Sequence, residues 1–497
     1  MIKKITLFFG ILFYINTASS QQTFPVNGTT DPRHLTYAFI NGTVFTDYKT
    51  NISPSTLLIR DGLIVDVGPA VTVPTDAIVY DLKGKMIYPS FIDIFSDYGL
   101  PEVKKPLPNE NPQLLTATQG AYNWNQAIRS EYEAANFFSV DNKKAEELKK
   151  LGFGTVQSIY RDGVARGTSV LVLLGNRKEH ELIIRKNSAA NFSLDKGSST
   201  QDYPSSEMGA IALIRQTFLD AKWYADGGYK KEFNITLDAF NKSQDIPQIF
   251  ETGDKQQELR AARLGKEFGK NFIIKGGGDE YERLNEIKET GNAYIVSLNY
   301  PEGYDLSDPY EAINISLRQM KRWELAPYNA AMMAKSQIDF ALTTADLKNK
   351  TDFTKNLRRA INCGLSAEDA LKALTLTPAK LLGVEDKIGQ LKKGMIANFI
   401  ITSKKVFDKE SMILQNWIQG VPTTFHDPAK SDIRGNYSIL INDQKPIRIK
   451  IGGEMYSPEA TVFEDTIAAK VNLDFLDKAV SFQIEFKKRE NLKVFIV

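Results

Sequence analysis

Three acids, Asp97, Glu251 and Asp346, stand at or just past the ends of short apolar runs, "FIDIFSD", "IPQIFET" and "IDFALTTAD". Carboxylates gathered from the ends of neighbouring strands can hold Mg²⁺, Mn²⁺ or Ca²⁺ through oxygen alone and activate a water on the ion. These are the candidate catalytic residues; their other reading is as solvated loop acids or partners of nearby Lys and Arg. A second set lies in "RDGVARGTS", where Arg161, Asp162 and Arg166 share a loop turned by Gly163 and Gly167. Guanidinium groups facing a pocket bind an anion or carboxylate ligand; the alternative is an Arg–Asp pair bracing the loop. Lys275 joins this ligand-binding set at the head of "KGGGDE", whose amides offer a phosphate cradle at a helix start but lack the P-loop spacing. Trp124 and Arg129, on a stretch read as helical, are placed to roof the pocket or to pack in the core. No G-x-S-x-G elbow is present, and the three histidines, His34, His180 and His426, fall outside the apolar runs. Serine or cysteine hydrolase chemistry is therefore excluded as a leading reading. The lone cysteine, Cys363, lies between two helical patterns and reads as a small structural hydrophobe.

The elements that must position these residues follow from the pattern. From about residue 36 to 88 short β-rich runs alternate with turns, and Asn41-Gly42 and Asp61-Gly62 are hairpin dipeptides. From 89 to 383 apolar runs alternate with amphipathic segments such as "KQQELRAARLGKEFG" and "SAEDALKALTL". That alternation predicts parallel β/α structure, and its length favours a closed (β/α)8 barrel with the acids at its C-terminal rim. Ser366 is expected to cap the helix from Ala367, and Gly383 to end the one opened by Thr377-Pro378. Residues 384–428 return to short strands, and 429–497 are β-patterned to the final "LKVFIV", which is expected to run on into a further module.

The 62 Lys+Arg nearly balance the 60 Asp+Glu, and no basic block marks a nucleic-acid partner. Residues 1–20 read as a signal peptide: Lys3 and Lys4, the apolar "ITLFFGILFYI", then the small residues of "NTASS". The mature chain is expected to be exported, periplasmic or extracellular, with no membrane contact after cleavage. A single cysteine supplies no disulfide framework.

"LIRDGLIVDVGPAVTVPTDAIVYDLKGKMIYPSFIDIFSDYG" resembles the opening of the amidohydrolase superfamily, in particular its imidazolonepropionase-like branch, where a sheet domain ends in a G-x-x-x-x-P-G-F-I-D-x-H-x-H strand. "GLSAEDALKALTLTPAKLLGVEDKIGQLKKGMIANFIIT" resembles the passage from the last barrel helix back into that sheet domain. The resemblance implies a (β/α)8 barrel over 89–383, a composite β-sandwich from 36–88 plus 384–428, and metal-dependent hydrolysis of non-peptide C–N bonds. It also implies a metal site made of H-x-H, a mid-barrel carboxylated Lys or Glu, two later His and a last-strand Asp.

Laid on this chain, the H-x-H positions are Phe95 and Asp97, the later His positions fall near Phe250, Glu251 and Lys275, and the Asp falls near Ala345 and Asp346. A zinc site of the family type cannot be assembled from these residues, so no metal ligand is assigned and no cofactor is expected unless the acids form a site for Zn, Mn or Mg. Two readings stay open. One is a C–N hydrolase by lineage with weak or absent activity. The other is a non-catalytic module that binds a small molecule or pairs with a second, intact amidohydrolase module or chain.

Overall fold

The computed structural model describes residues 35–105, 114–428, 433–439, 447–454, 456–464, 467–471, 473–476, 479–484 and 492–496. The leader expected over residues 1–20, and His34, lie outside them.

Strands from both flanks of the chain meet in one hydrogen-bonded sheet. β1 (Thr36–Phe45), β2 (Asn51–Arg60), β3 (Leu63–Gly68), β4 (Ile78–Asp81) and β5 (Met86–Pro89) come from the N-terminal side. β16 (Phe399–Thr402), β17 (Ile413–Ile418) and β18 (Val421–Thr424) return from the far side. The order is β18-β17-β16-β5-β1-β2-β3, with β4 also paired to β1. Its core is aromatic: Trp417 stacks on Phe399 with ring centroids 5.6 Å apart and meets the edge of Phe39 at 4.9 Å. Such pairs add about 0.5–1.5 kcal/mol each beyond the area they bury.

Of the two expected hairpin dipeptides, one makes a hairpin. Asp61 and Gly62, with φ of 53° and 76°, turn β2 into β3. Asn41-Gly42 instead lies inside β1, where the pairing with β2 shifts register. The left-handed Asn41 (φ 61°) forms a bulge there, and its side-chain amide donates to Asp81 at 3.1 Å.

The strands found over 89–383 are β6 (Phe91–Ser96), β7 (Phe153–Ser158), β8 (Ala165–Thr168), β9 (Val170–Leu173), β10 (Ile183–Arg185), β11 (Ala190–Ser193), β12 (Gln248–Glu251), β13 (Ile273–Lys275), β14 (Ala293–Ser297) and β15 (Phe340–Thr343). One sheet runs β10-β9-β7-β6 and the other β15-β14-β13-β12-β11-β8. β11 to β15 are parallel to their neighbours, as β6 is to β7. The alternation is broken after β7: β9 runs antiparallel to β7, and β8 antiparallel to β11. The chain turns back there as a compact run, Ala165–Leu173, rather than crossing over through a helix. The two sheets are joined at β6 and β15 through buried Asp93, which accepts from the Thr343 and Thr344 hydroxyls at 2.6 Å each and from the Thr344 amide at 3.1 Å.

Helices pack against these strands. Asp254 caps residues 255–267, accepting from the Gln256 and Gln257 amides, and Ser206 caps residues 207–225. Ser366 caps residues 367–374 through the Asp369 amide at 2.9 Å and donates to the Asp369 carboxylate at 2.6 Å. Such caps are worth about 1 kcal/mol each. Gly383, at φ 60°, follows the helix Leu376–Leu381.

The C-terminal residues carry β-structure. β19 (Gly435–Ile439), β20 (Ile447–Glu454), β21 (Ser457–Glu464) and β22 (Ile467–Val471) form an antiparallel sheet. β23 (Leu473–Leu476), β24 (Ala479–Ile484) and β25 (Leu492–Ile496) form another. Among the described residues no helix is long and apolar enough to cross a membrane.

Candidate functional site

The C-terminal ends of the parallel strands bring five of the seven candidate residues together. Glu251 is the last residue of β12 and Lys275 the last of β13, while Arg166 lies within β8. Arg161 reaches in from the loop after β7, and Asp346 stands three residues past β15 in a left-handed turn (φ 63°). Arg161 hydrogen-bonds one Glu251 oxygen and Arg166 the other. Lys275 Nζ hydrogen-bonds Asp346 Oδ2, and Arg161 also reaches Asp346 Oδ1 at 3.4 Å. The Arg161 guanidinium lies 5.3 Å over the Phe95 ring. Phe95, at a position where the resemblance expects histidine, therefore serves as a flat seat for a cation.

The electrostatics are those of a closed ionic cluster. Burial would raise the Glu251 carboxyl, but the charges of Arg166 and Arg161 and their hydrogen bonds overcome it and bring it down to about 2. Arg161 is held above its ordinary value: burial would lower it, and Glu251 and Asp346 more than compensate. Three cations thus face two carboxylates, with Arg166 and Lys275 each only 4% exposed.

The two remaining candidates stand apart. Asp97 follows β6 but is 71% exposed and lies 3.8 Å from Lys350. Asp162 is buried and saturated, accepting from Arg129 at 2.5 Å, from the Ser198 amide at 2.6 Å and from the Ser198 hydroxyl at 2.7 Å. It braces the loop, and the brace is Arg129 rather than either arginine of its own motif. As a ligand-binding residue Asp162 is corrected by this geometry, because no carboxylate oxygen is turned to the pocket.

The stretch 121–133 is irregular, not the helix expected for Trp124 and Arg129. Asn123 and Asn125 turn their side chains onto the amides of Asn125 and Ala127, both at 2.9 Å, and so compete with helical hydrogen bonding. The amides of "KGGGDE" are likewise occupied: Gly277 donates to Glu258 at 3.1 Å and Gly278 to Glu280 at 3.2 Å. The cradle holds the chain's own carboxyl groups. Asp93 was legible only as an acid inside an apolar strand, the one signal of its role between β6 and β15.

Above the ionic cluster opens a cleft of about 850 Å³, lined by Arg161, Arg166, Glu251, Lys105, Asp195 and the Ser206 end of the helix 207–225, among others. A divalent ion does not fit at its floor. Both Glu251 oxygens and Asp346 Oδ2 already accept from cations, so a dication there would face three fixed positive charges with no free anionic donor. Among the described residues no three His, Cys, Asp or Glu side chains converge as a metal-holding group.

Known proteins share this arrangement of chain. The model of the Amidohydrolase family matches residues 328–425. Imidazolonepropionase of Shewanella woodyi is 23% identical over 369 residues, 70% of this chain and 86% of the relative. Imidazolonepropionase of Klebsiella pneumoniae is 21% identical over 363 residues, 69% of this chain and 85% of the relative. The crystal structure of an amidohydrolase from Thermotoga maritima superposes with a TM-score of 0.62 at 23% identity, over 78% of this chain and 99% of that one. The chain is thus similar to amidohydrolases over most of its length, with the family-model match at residues 328–425.

Proposed function

We propose that this chain is an amidohydrolase-superfamily module that binds a small molecule or a partner module without performing metal-dependent hydrolysis. Similarity to imidazolonepropionases alone favours a hydrolase of non-peptide C–N bonds. One observation argues for the other reading: the carboxylates at the strand ends, Glu251 and Asp346, are neutralised by Arg161, Arg166 and Lys275. Water activation by a metal needs free donors at that place, and catalysis of this class draws its nucleophile from the ion.

β6 to β15 are read as a closed barrel in which β8 and β9 together form one antiparallel stave. The sheet drawn from both flanks is read as the composite domain. Residues 1–20 are read as a signal peptide, which places the mature chain in the periplasm or outside the cell. The 850 Å³ cleft is large enough for a small-molecule ligand, and a second, intact amidohydrolase module or chain is the expected partner for catalysis.

The test is an amide- and lactam-hydrolysis screen on the mature chain, before and after loading with Zn²⁺, Mn²⁺ or Mg²⁺. The reading expects rates equal to those of Glu251→Gln under every loading. Metal-dependent turnover that Glu251→Gln abolishes would restore the hydrolase.

A further inference from the structure

Behind the glycine loop that follows β13 lies a pair of buried acids unconnected with the strand-end cluster. Glu258, on the helix 255–267, and Glu280, at the end of the loop, are both fully buried. A methyl group built on Gly276 would stand 1.9 Å from Glu280 Oε1 and 2.9 Å from Glu258 Oε1, so the two oxygens converge on one point. Three of the four carboxyl oxygens have donors: the Gly277 amide on Glu258, and the Gly278 amide and the Asn329 side chain (2.5 Å) on Glu280. The fourth, Glu258 Oε2, is buried and has no partner among the described residues. The nearby Lys255 does not neutralise the pair, since its ammonium is held by Asp279 at 2.8 Å and Glu282 at 2.9 Å.

We propose that Glu258 and Glu280 share a single proton, and that this proton is the latch that keeps the glycine loop 276–278 packed over the pair. Two unpaired carboxylates converging in a buried site cannot both ionise without a large penalty, whereas one proton leaves a single charge for three donors. The titratable groups acting on the pair are Asp254 on the helix side, Asp279 on the loop and Tyr294 on β14, while Lys255 bridges Asp279 and Glu282. Both Asp254 and Asp279 are acids, which reinforces retention of the proton. Burial, and then the charge of Glu280, push the Glu258 carboxyl well above the usual range; burial pushes Glu280 up against its hydrogen bonds. With folded values raised, the pair's stabilisation is complete below the ordinary Glu range and is lost as pH rises through the raised values. The loop it would release lines a separate cleft of about 410 Å³ with Tyr300, Tyr304 and Arg322, so the proton would gate that wall.

The experiment compares wild type with Glu258→Gln and Glu280→Gln between about pH 5 and about pH 9, the span in which buried carboxyls release protons. Melting temperature and amide exchange of residues 276–282 are read together. The wild type is expected to lose melting temperature, and to exchange faster than its intrinsic rate predicts, toward the alkaline end. Glu258→Gln keeps the acceptor for Gly277 but has no proton to lose, and is expected to stay level. A protonated-carboxyl C=O band in the infrared spectrum of the wild type at neutral pH, absent from Glu258→Gln, reports the proton directly. Parallel pH profiles for wild type and both variants, or no such band, would overturn the proposal. If Glu258→Gln fails to fold, Glu280→Gln and the wild-type band still decide it.

Discussion

Arg166 is the residue on which the ionic cluster turns, because it is buried and its partner Glu251 also holds Arg161. Removing one partner of a buried pair leaves an uncompensated charge and costs about 3–5 kcal/mol. Glu251→Ala is therefore expected to lower stability to urea by about that amount, and the double variant Arg166→Met/Glu251→Ala to lose less than the single. A double variant worse than either single would show that the pair is not the unit. The depressed Glu251 carboxyl also fixes a pH window. Its stabilisation is present above the ordinary Glu value of about 4.3 and is lost as pH falls toward about 2. The stability difference between wild type and Glu251→Gln should shrink over that interval, as followed by acid titration of the unfolding midpoint. Glu251, Lys275 and Asp346 were legible in the sequence as charged residues at or just past the ends of runs, and Arg161 and Arg166 as loop arginines. Their pairing was not, because Arg161 and Glu251 are 90 residues apart and Lys275 and Asp346 71 apart. Nor did the sequence distinguish Asp162, which braces a loop, from Arg161, which faces the cleft.

At the scale of elements, β6 and β15 are joined through the Asp93 carboxylate and a bond from the Thr343 hydroxyl to the Phe95 carbonyl. Asp93→Ala would orphan the Thr344 hydroxyl and amide in a buried place, at about 1–3 kcal/mol for each unsatisfied group, while the Thr343 hydroxyl keeps the Phe95 carbonyl at 2.9 Å. Asp93→Asn keeps an acceptor and is expected to fall between wild type and Asp93→Ala in thermal unfolding; equal losses would mean that charge, not hydrogen bonding, makes the joint. The β2–β3 turn gives a second check. A Cβ on Gly62 would sit 2.7 Å from the Gln419 carbonyl oxygen at a φ of 76°, so Gly62→Ala should lower the melting temperature, whereas a surface Ala substitution would not. Apolar runs made the strands legible, but a run carries no direction, which is why the reversal at β8 and β9 was missed. The same limit applies to dipeptides: Asp61-Gly62 and Asn41-Gly42 share a left-handed first residue, yet only the first is followed by a new strand.

For the whole molecule, the resemblance to amidohydrolases was legible because the opening and closing segments carry it at the two places where the chain crosses between sheet and helix-flanked strands. Those residues pack the core and persist whether or not the site works: Ile92, Ile94 and Phe95 are buried with Ile249, Ile273, Ile295 and Ala341 from the facing strands. The site is held to a different constraint. Where the family places metal ligands, this chain places a cation seat at Phe95 and carboxylates capped by Arg and Lys, so fold and activity are expected to come apart. The measurement that tests this most directly is the metal content of the mature chain, residues 21–497, by elemental analysis after metal-free dialysis and again after loading with Zn²⁺, Mn²⁺ or Mg²⁺. No stoichiometric ion is expected under any loading. An ion retained at one per chain, and lost on changing Glu251, Asp346 or Asp97 to Ala, would contradict it.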